Sequence, residues 1–238
     1  MTPVMIQAGG QGTRLRPFTT VLPKPLMPIG DMPVIEIVIR QLKSRGLERL
    51  YISVSHLGHL LQAVLGDGSK WGVDIKYLFE DKPLGTVGPV RCIPRPEVPF
   101  LVMNGDLLTS IDYADLYQHH LRSGAQLTVG VYECTVPVSL GVFELGPDNN
   151  ITGFREKPSL HYWASMGVYV FSPEVWDIVP PNEYFGFDML MEEVVRGALR
   201  ARVYRFEGIW LDIGRPEDYE RASEVFAQSR DELLPPPA

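Results

Sequence analysis

The chain has 238 residues, 45% of them hydrophobic and 21% charged, with a net charge of −7. Those values describe a packed globular protein with enough chain for a sizeable core, read here as one domain over residues 1–228 with a flexible tail at 229–238. They argue against general nucleic-acid affinity, and no apolar run approaches the roughly 20 residues of a membrane helix. Met1 leads straight into Val4-Met5-Ile6 without a basic n-region or a small-residue cleavage site, so no signal peptide is expected and the expected compartment is the cytoplasm. Cys92 and Cys134 lack partners at metal spacing and read as small apolar core residues. Residues 1–50 hold seven Lys/Arg against three Asp/Glu, a basic segment in an acidic protein and consistent with a local anion site. Part of that excess (Arg40, Lys43, Arg45, Arg49) reads as a solvated helix face.

In chain order, Val4 to Ala8 predicts a strand ending in glycine. Pro33 to Arg45 predicts a helix, with Val34, Ile35, Val38, Ile39 and Leu42 on one stripe and Gly46 as its stop. Leu50–Ser55 (strand), His59–Leu65 (helix) and Val73–Phe79 (strand) follow. Phe100 to Met103 is short and wholly apolar, as a central buried strand would be. Tyr113 to Arg122 predicts a helix and Gln126 to Tyr132 a strand. Val142–Leu145 and Ile151–Arg155 flank Gly146-Pro147-Asp148-Asn149-Asn150, which predicts a hairpin. A strand at Gly167–Phe171, a helix at Met189–Leu199, a strand at Val203–Phe206 and a helix from Pro216 to about Ala227 complete the pattern. Strands alternating with helices indicate an α/β fold.

Several segments can carry chemistry. Ala8-Gly9-Gly10-Gln11-Gly12-Thr13-Arg14-Leu15-Arg16-Pro17 follows the first strand, where glycines let backbone N–H groups approach a phosphate chain without Cβ obstruction. Arg14 offers a fork of donors to phosphate oxygens, and Lys24, between Pro23 and Pro25, holds an ammonium in a restricted place. Alone, this loop reads equally as a strand-to-loop turn with surface cations. It is neither a Walker A loop nor a G-x-G-x-x-G fingerprint, since Leu15 takes the last position. Asp106 follows a buried strand, and Asp212 lies in the apolar stretch Ile209-Trp210-Leu211-Asp212-Ile213. Each caps a turn, or the two converge on Mg²⁺, which prefers oxygen ligands and keeps phosphates and waters in its shell. Glu156-Lys157-Pro158 by itself reads as an exposed charged turn. His56 and His59 lack a third metal ligand, and His119-His120 reads as surface.

Gly9-Gly10-x-Gly12-Thr13-Arg14-Leu15 with Lys24-Pro25-x-x-Pro28 closely resembles the signature of the sugar-1-phosphate nucleotidyltransferases. The resemblance runs to about Tyr219 and includes Pro83-Leu84-Gly85-Thr86, Asn104-Gly105-Asp106, Glu156-Lys157-Pro158 and Trp210-Leu211-Asp212-Ile213-Gly214. The pattern looks most like the mannose-1-phosphate guanylyltransferase branch, including its short, catalytic-domain-only forms. It implies a Rossmann-like, three-layer α/β/α (GT-A-like) fold with a mixed, mostly parallel sheet. The implied reaction joins an NTP, GTP favoured, to a sugar 1-phosphate, mannose- or heptose-like, releasing pyrophosphate. The implied catalytic residues are Arg14, Lys24 and Asp106, with Asp106 and Asp212 holding Mg²⁺. The implied nucleotide-binding residues are Ala8, Gly9, Gly10, Gly12, Thr13, Glu80, Pro83, Gly85 and Thr86, Glu80 being placed to accept from guanine N1–H and its 2-amino group. Gly141, Glu156, Lys157, Ser165 and Gly167 are implied for the sugar phosphate. The expected partners are the two substrates, with no nucleic acid, no membrane and room for a homodimer.

The chain departs from the family pattern on the sugar side. Ser165-Met166-Gly167 stands where many relatives have Asn-Ala-Gly, Ser139-Leu140-Gly141-Val142 where Tyr-Gly-Val is usual, and Val87 where alanine is common. These changes put the accepted sugar in doubt and leave the phosphate chemistry as implied. Rival readings are thymidylyl-, uridylyl-, cytidylyl- or adenylyl transfer, or a silent relative that binds a nucleotide sugar to regulate a partner. An NAD-dependent enzyme is disfavoured by the imperfect glycine fingerprint and by Lys24.

Overall fold

The computed structural model describes residues 2–55 and 57–234. Strand β1 (Pro3–Gln7) is followed by three short 3₁₀ turns between Thr13 and Leu26 and by the two-residue strands β2 (Pro28–Ile29) and β3 (Met32–Pro33). Helix α1 (Val34–Ser44), β4 (Arg49–Val54), α2 (Gly58–Leu65), β5 (Asp74–Phe79), β6 (Phe100–Asn104), β7 (Leu107–Thr109) and α3 (Tyr113–Ser123) come next. The second half contains β8 (Leu127–Pro137), β9 (Val142–Leu145), β10 (Ile151–Arg155), β11 (Ser159–Phe171), α4 (Pro173–Ile178) and α5 (Phe187–Val195). It closes with β12 (Ala201–Phe206), β13 (Trp210–Asp212), α6 (Pro216–Gln228) and α7 (Arg230–Leu233).

Seven strands make one sheet in the order β12-β8-β11-β6-β1-β4-β5. Only β11 runs against the rest, pairing antiparallel with both β6 and β8. The expected mixed, mostly parallel α/β sheet is therefore present. Side chains alternate across a strand, so Val4 and Ile6 face one layer of helices and Met5 the other. Ile35 of α1, Leu61 of α2 and Leu116 of α3 meet Val4, Ile6 and Leu101 on the first face. Val175 of α4 and Leu190 of α5 meet Met5, Phe100 and Val102 on the second. With both faces covered, β1 and β6 can be uninterrupted apolar runs, which is how they read in the sequence. Helix α1 is buried on two sides: Val34 and Ile37 turn away from the sheet onto Ala222 and Phe226 of α6.

Several expectations need correction. Strands β8 and β11 extend well past Tyr132 and before Gly167, because their outer halves pair with each other beyond the core. Val136, Leu160 and Tyr162 are exposed there, so no burial pattern marked them. The tail does not begin at residue 229. Helix α7 buries Leu233, Gln41 Nε2 donates to the Leu233 carbonyl at 2.8 Å, and Arg230 pairs with Asp31. Residues 235–238 lie outside the described residues. Neither cysteine is in the core: Cys92 is exposed at the end of a 3₁₀ turn, and Cys134 is half-buried on the projecting part of β8. His120 is not on the surface. It lies on the buried stripe of α3 with Tyr113 and Leu116, and its ring nitrogens meet Thr128 Oγ1 at 2.8 Å and Ser172 Oγ at 2.9 Å. Desolvation, then the neighbouring His119, lowers its pKa to about 4. His56 falls outside the described residues, and His59 stacks on Phe79.

Candidate active site

The C-terminal ends of β1, β4 and β6 come together because Gln7 is in register with Ser53 on one side and Asn104 on the other. Strand order reverses at β1, with β4 and β5 on one side and β6 on the other. In open α/β sheets, ligand clefts form outside the carboxyl ends of strands at such a switch point. A cleft of 370 Å³ lies there. Of the residues named from sequence, Gly9, Gly10, Glu80, Pro83, Gly85, Thr86 and Asp106 line it. Gln7, Ser53, Ser55 and Asn104 also line it and were missed. A polar residue closing an otherwise apolar parallel strand was the available signal for Gln7 and Asn104. Tyr184 also lines the cleft and carried no sequence signal.

The glycine loop is held open from below. Ala8 is buried and its N–H donates to the Ser53 carbonyl at 2.9 Å, so it acts through backbone position. Ser55 Oγ donates to the Gly9 carbonyl at 2.5 Å, and a Cβ at Gly10 would meet nothing within 4 Å. Gly12 is left-handed at φ +58, and a Cβ there would sit 2.8 Å from Thr19 Cγ2. Thr19 Oγ1 donates to the Gly12 carbonyl at 2.7 Å, locking that turn. Thr13 and Arg14 are exposed in the 3₁₀ turn that follows; with Ala8 and Gly12 they stand outside the lining of the cleft.

Charge concentrates beside this loop. Lys24 Nζ is ion-paired with Asp106 Oδ2 and lies 3.5 Å from Asp212 Oδ1. Asp212 sits on β13, which pairs with β7 immediately after Asp106 and brings the two carboxylates together. Asp212 is exposed, contrary to its apolar context; Leu211 and Ile213 are the buried members of that stretch. Desolvation raises the Asp106 pKa, and Lys24 opposes that shift. Asp106 Oδ1 is buried and has no hydrogen-bond partner among the described residues. An orphaned, buried carboxylate oxygen beside a second carboxylate suits a hard cation. No third His, Cys, Asp or Glu joins them among the described residues. That set fits Mg²⁺, which takes one or two carboxylates and completes its shell with phosphate and water. A Cβ at Gly214 would lie 3.4 Å from both an Arg14 guanidinium nitrogen and Asp212 Oδ2, so Arg14 flanks the same cluster.

The loop from Glu80 to Thr86 is braced at three points. Ser53 Oγ donates to Glu80 Oε1, the Leu84 N–H donates to Glu80 Oε2 at 3.1 Å, and Gln7 Nε2 donates to the Thr86 carbonyl. Gly85 is left-handed at φ +81 where its backbone crosses Phe185. Glu80 therefore faces the cleft with both oxygens already accepting hydrogen bonds.

The expected sugar side is more open. Glu156 and Lys157 are exposed after β10, and a Cβ at Gly141 would lie 3.2 Å from Glu156 Oε2. Ser165 Oγ meets Tyr169 OH at 3.1 Å across a register shift in β11. Gly141, Glu156, Lys157, Ser165 and Gly167 do not line the 370 Å³ cleft. Gly167 borders it through Asn104, whose Nδ2 would lie 2.6 Å from a Cβ there. Met166 is fully buried in the core and does not enter the sugar side, contrary to expectation.

A family profile described as Nucleotidyl transferase matches residues 3–229. The chain belongs to this family. It is 33% identical over 92% of its length to a Synechocystis UTP–glucose-1-phosphate uridylyltransferase and covers 61% of that protein. It is 30% identical to mannose-1-phosphate guanyltransferases of Saccharomyces cerevisiae and Mycobacterium tuberculosis, over 94% and 98% of its length and 64% and 66% of theirs. The chain thus spans about three fifths to two thirds of these curated relatives. Among solved structures, HddC from Yersinia pseudotuberculosis superposes with a TM-score of 0.74 at 26% identity, over 95% of this chain and 100% of that one. The same protein complexed with GMP-PN gives 0.73 at 25% identity, again over 95% and 100%. No helix among the described residues is long and apolar enough to cross a membrane.

Proposed function

We propose that this member of the nucleotidyl transferase family moves a nucleotidyl group from an NTP to a sugar 1-phosphate. The observation that carries the reading is the Lys24–Asp106–Asp212 cluster at the mouth of a glycine-lined cleft. An oxygen of the sugar phosphate attacks the α-phosphorus in line, a new O–P bond forms, and the bond to the bridging oxygen breaks. Pyrophosphate leaves with that electron pair. A phosphate monoester is an adequate nucleophile, so the protein's work is positioning and charge neutralisation.

The backbone N–H groups of Gly9 to Thr13 and the Arg14 guanidinium hold the triphosphate. Lys24 stabilises the charge that grows between the α- and β-phosphates. Lys157 docks the incoming phosphate, and Glu156 with Gly141, Ser165 and Gly167 holds the sugar. Asp106 and Asp212 would hold Mg²⁺, which when bound would supply Lewis-acid stabilisation of charge on the reacting phosphate. The base rests against Pro83, Gly85 and Thr86, in a loop that Glu80 braces while its remaining lone pairs face the cleft.

GTP with a mannose- or heptose-like sugar 1-phosphate is the favoured pair, supported by guanyltransferase relatives and by a structural neighbour complexed with GMP-PN. A second reading, UTP with glucose 1-phosphate, is supported by the Synechocystis relative at 33% identity. Pyrophosphate release across five NTPs and a panel of sugar 1-phosphates decides between them. Release with GTP and a mannose- or heptose-type phosphate is expected. No release with any pair overturns the assignment, and tight nucleotide-sugar binding without turnover points to a silent relative. The compartment follows from the same reading as the cytoplasm, and a homodimer is tested by light scattering.

A further inference from the structure

We propose that Lys24 and a divalent cation compete for the same carboxylate pair, so that metal entry displaces the Lys24 ammonium from Asp106 and Asp212. This rests on the nucleotidyltransferase reading only in that it takes those two carboxylates as the metal's ligands. Lys24 Nζ reaches oxygens of both acids at once, and its side chain is only 10% exposed. An ammonium and a divalent ion cannot share the space between two carboxylate oxygens without strong repulsion. Lys24 has little freedom to stand elsewhere along the backbone: Pro23 and Pro25 flank it, and it opens a 3₁₀ turn with Pro25 and Leu26 buried behind it. Its movement is thus confined to the side chain, whose flexible four-carbon stem allows the ammonium to swing.

The second oxygen of Asp106 gives a cation an advantage over the ammonium. Lys24 engages Oδ2 and leaves the buried Oδ1 without a partner among the described residues. A cation with several coordination sites satisfies more of the two carboxylates than one ammonium does. Lys24 then compensates the buried acid at the cost of one unsatisfied oxygen, and the metal must outbid it for the pair. The displaced ammonium is released within reach of the phosphate chain, where the proposed reaction uses it. Occupation by metal and availability of Lys24 are one event in this scheme.

The test is Mn²⁺ binding to the full chain without nucleotide, read by electron paramagnetic resonance, for wild type, Lys24→Met, Arg16→Met and Asp106→Asn. An adjacent opposite charge lowers a carboxylate's proton affinity by about one to three decades, and a metal cation at the same oxygens feels the same repulsion. Lys24→Met is therefore expected to bind Mn²⁺ at least about tenfold more tightly than wild type, by the same Coulomb argument. Arg16 is an exposed cation of the same region with no ion pair among the described residues, and its loss should change little. An affinity of Lys24→Met equal to or below wild type, with binding abolished in Asp106→Asn, overturns the competition while leaving the metal site standing. An equal gain in Arg16→Met reduces the effect to general charge and also overturns it. Absence of Mn²⁺ binding in every protein, with and without GTP, removes the metal site itself. Should Lys24→Met not fold, wild type suffices: saturating Mn²⁺ should raise acylation of Lys24 by an amine-reactive reagent several-fold, and unchanged labelling overturns the proposal.

Discussion

The side-chain amide of Gln7 donates to the Thr86 carbonyl, fastening the end of β1 to the loop across the cleft. Glutamine at this place does structural work that an apolar residue of similar size cannot do. Gln7→Leu is expected to raise the KM for the NTP several-fold with kcat nearly unchanged, because one bond that orders the binding loop is lost (about 0.5–1.5 kcal/mol). Steady-state kinetics at saturating sugar phosphate checks this. An equal fall in kcat would place Gln7 in the chemistry instead.

Asp106→Asn removes a proposed Mg²⁺ ligand, and Lys24→Ala removes a cation from beside the reacting phosphates. A loss of about 10²- to 10³-fold in kcat is expected for either. Circular dichroism should remain that of the folded protein, since neither side chain belongs to the apolar core. Near-wild-type turnover in either variant would refute their assigned roles.

Gly167 has φ +72, and a Cβ there would come within 2.6 Å of Asn104 Nδ2. Gly167→Ala is expected to cost about 1–2 kcal/mol from backbone strain alone, with Asn104 displaced from the cleft in addition. Urea unfolding gives the stability change, and a fall in nucleotide affinity beyond that of folded fraction reports the Asn104 displacement.

His120 gives the fold an acid-sensitive point. Its folded pKa, lowered to about 4 by burial and by His119, lies below the unfolded value of 6.5. Between those values the unfolded chain binds the extra proton, so this contribution is fully present above pH 6.5 and lost as pH falls towards 4. His120→Gln should flatten the dependence of Tm on pH across that window. Parallel wild-type and variant curves would show that other groups set it.

The motif-bearing loops were legible because glycine, proline and charge at strand ends leave strong marks, and Gly9, Gly10, Glu80, Gly85, Thr86 and Asp106 do gather at one cleft. What could not be read is instructive. The outer half of β11, from Ser159 to Trp163, is exposed on both faces, so its side chains join no core that would have marked it. Strands β7 and β13 are three residues each and exist because they pair with one another, which no local pattern encodes. His120 looked like surface in the dipeptide His119-His120, although its spacing from Tyr113 and Leu116 placed it on the buried stripe of α3. Met166 looked like a sugar-site substitution, yet alternation along β11 sends it into the core.

The position of β1 has a consequence for synthesis. Val4 pairs with Leu101 on one side and Leu50 on the other, so β1, which precedes both partners in the chain, lies in the interior of the sheet. Its second edge stays unpaired until the chain has been translated through β6, and an apolar strand with an open edge is a template for other chains. Nascent fragments that stop between β5 and β6 should therefore be the ones that demand chaperone protection, and those that include β6 should need it less.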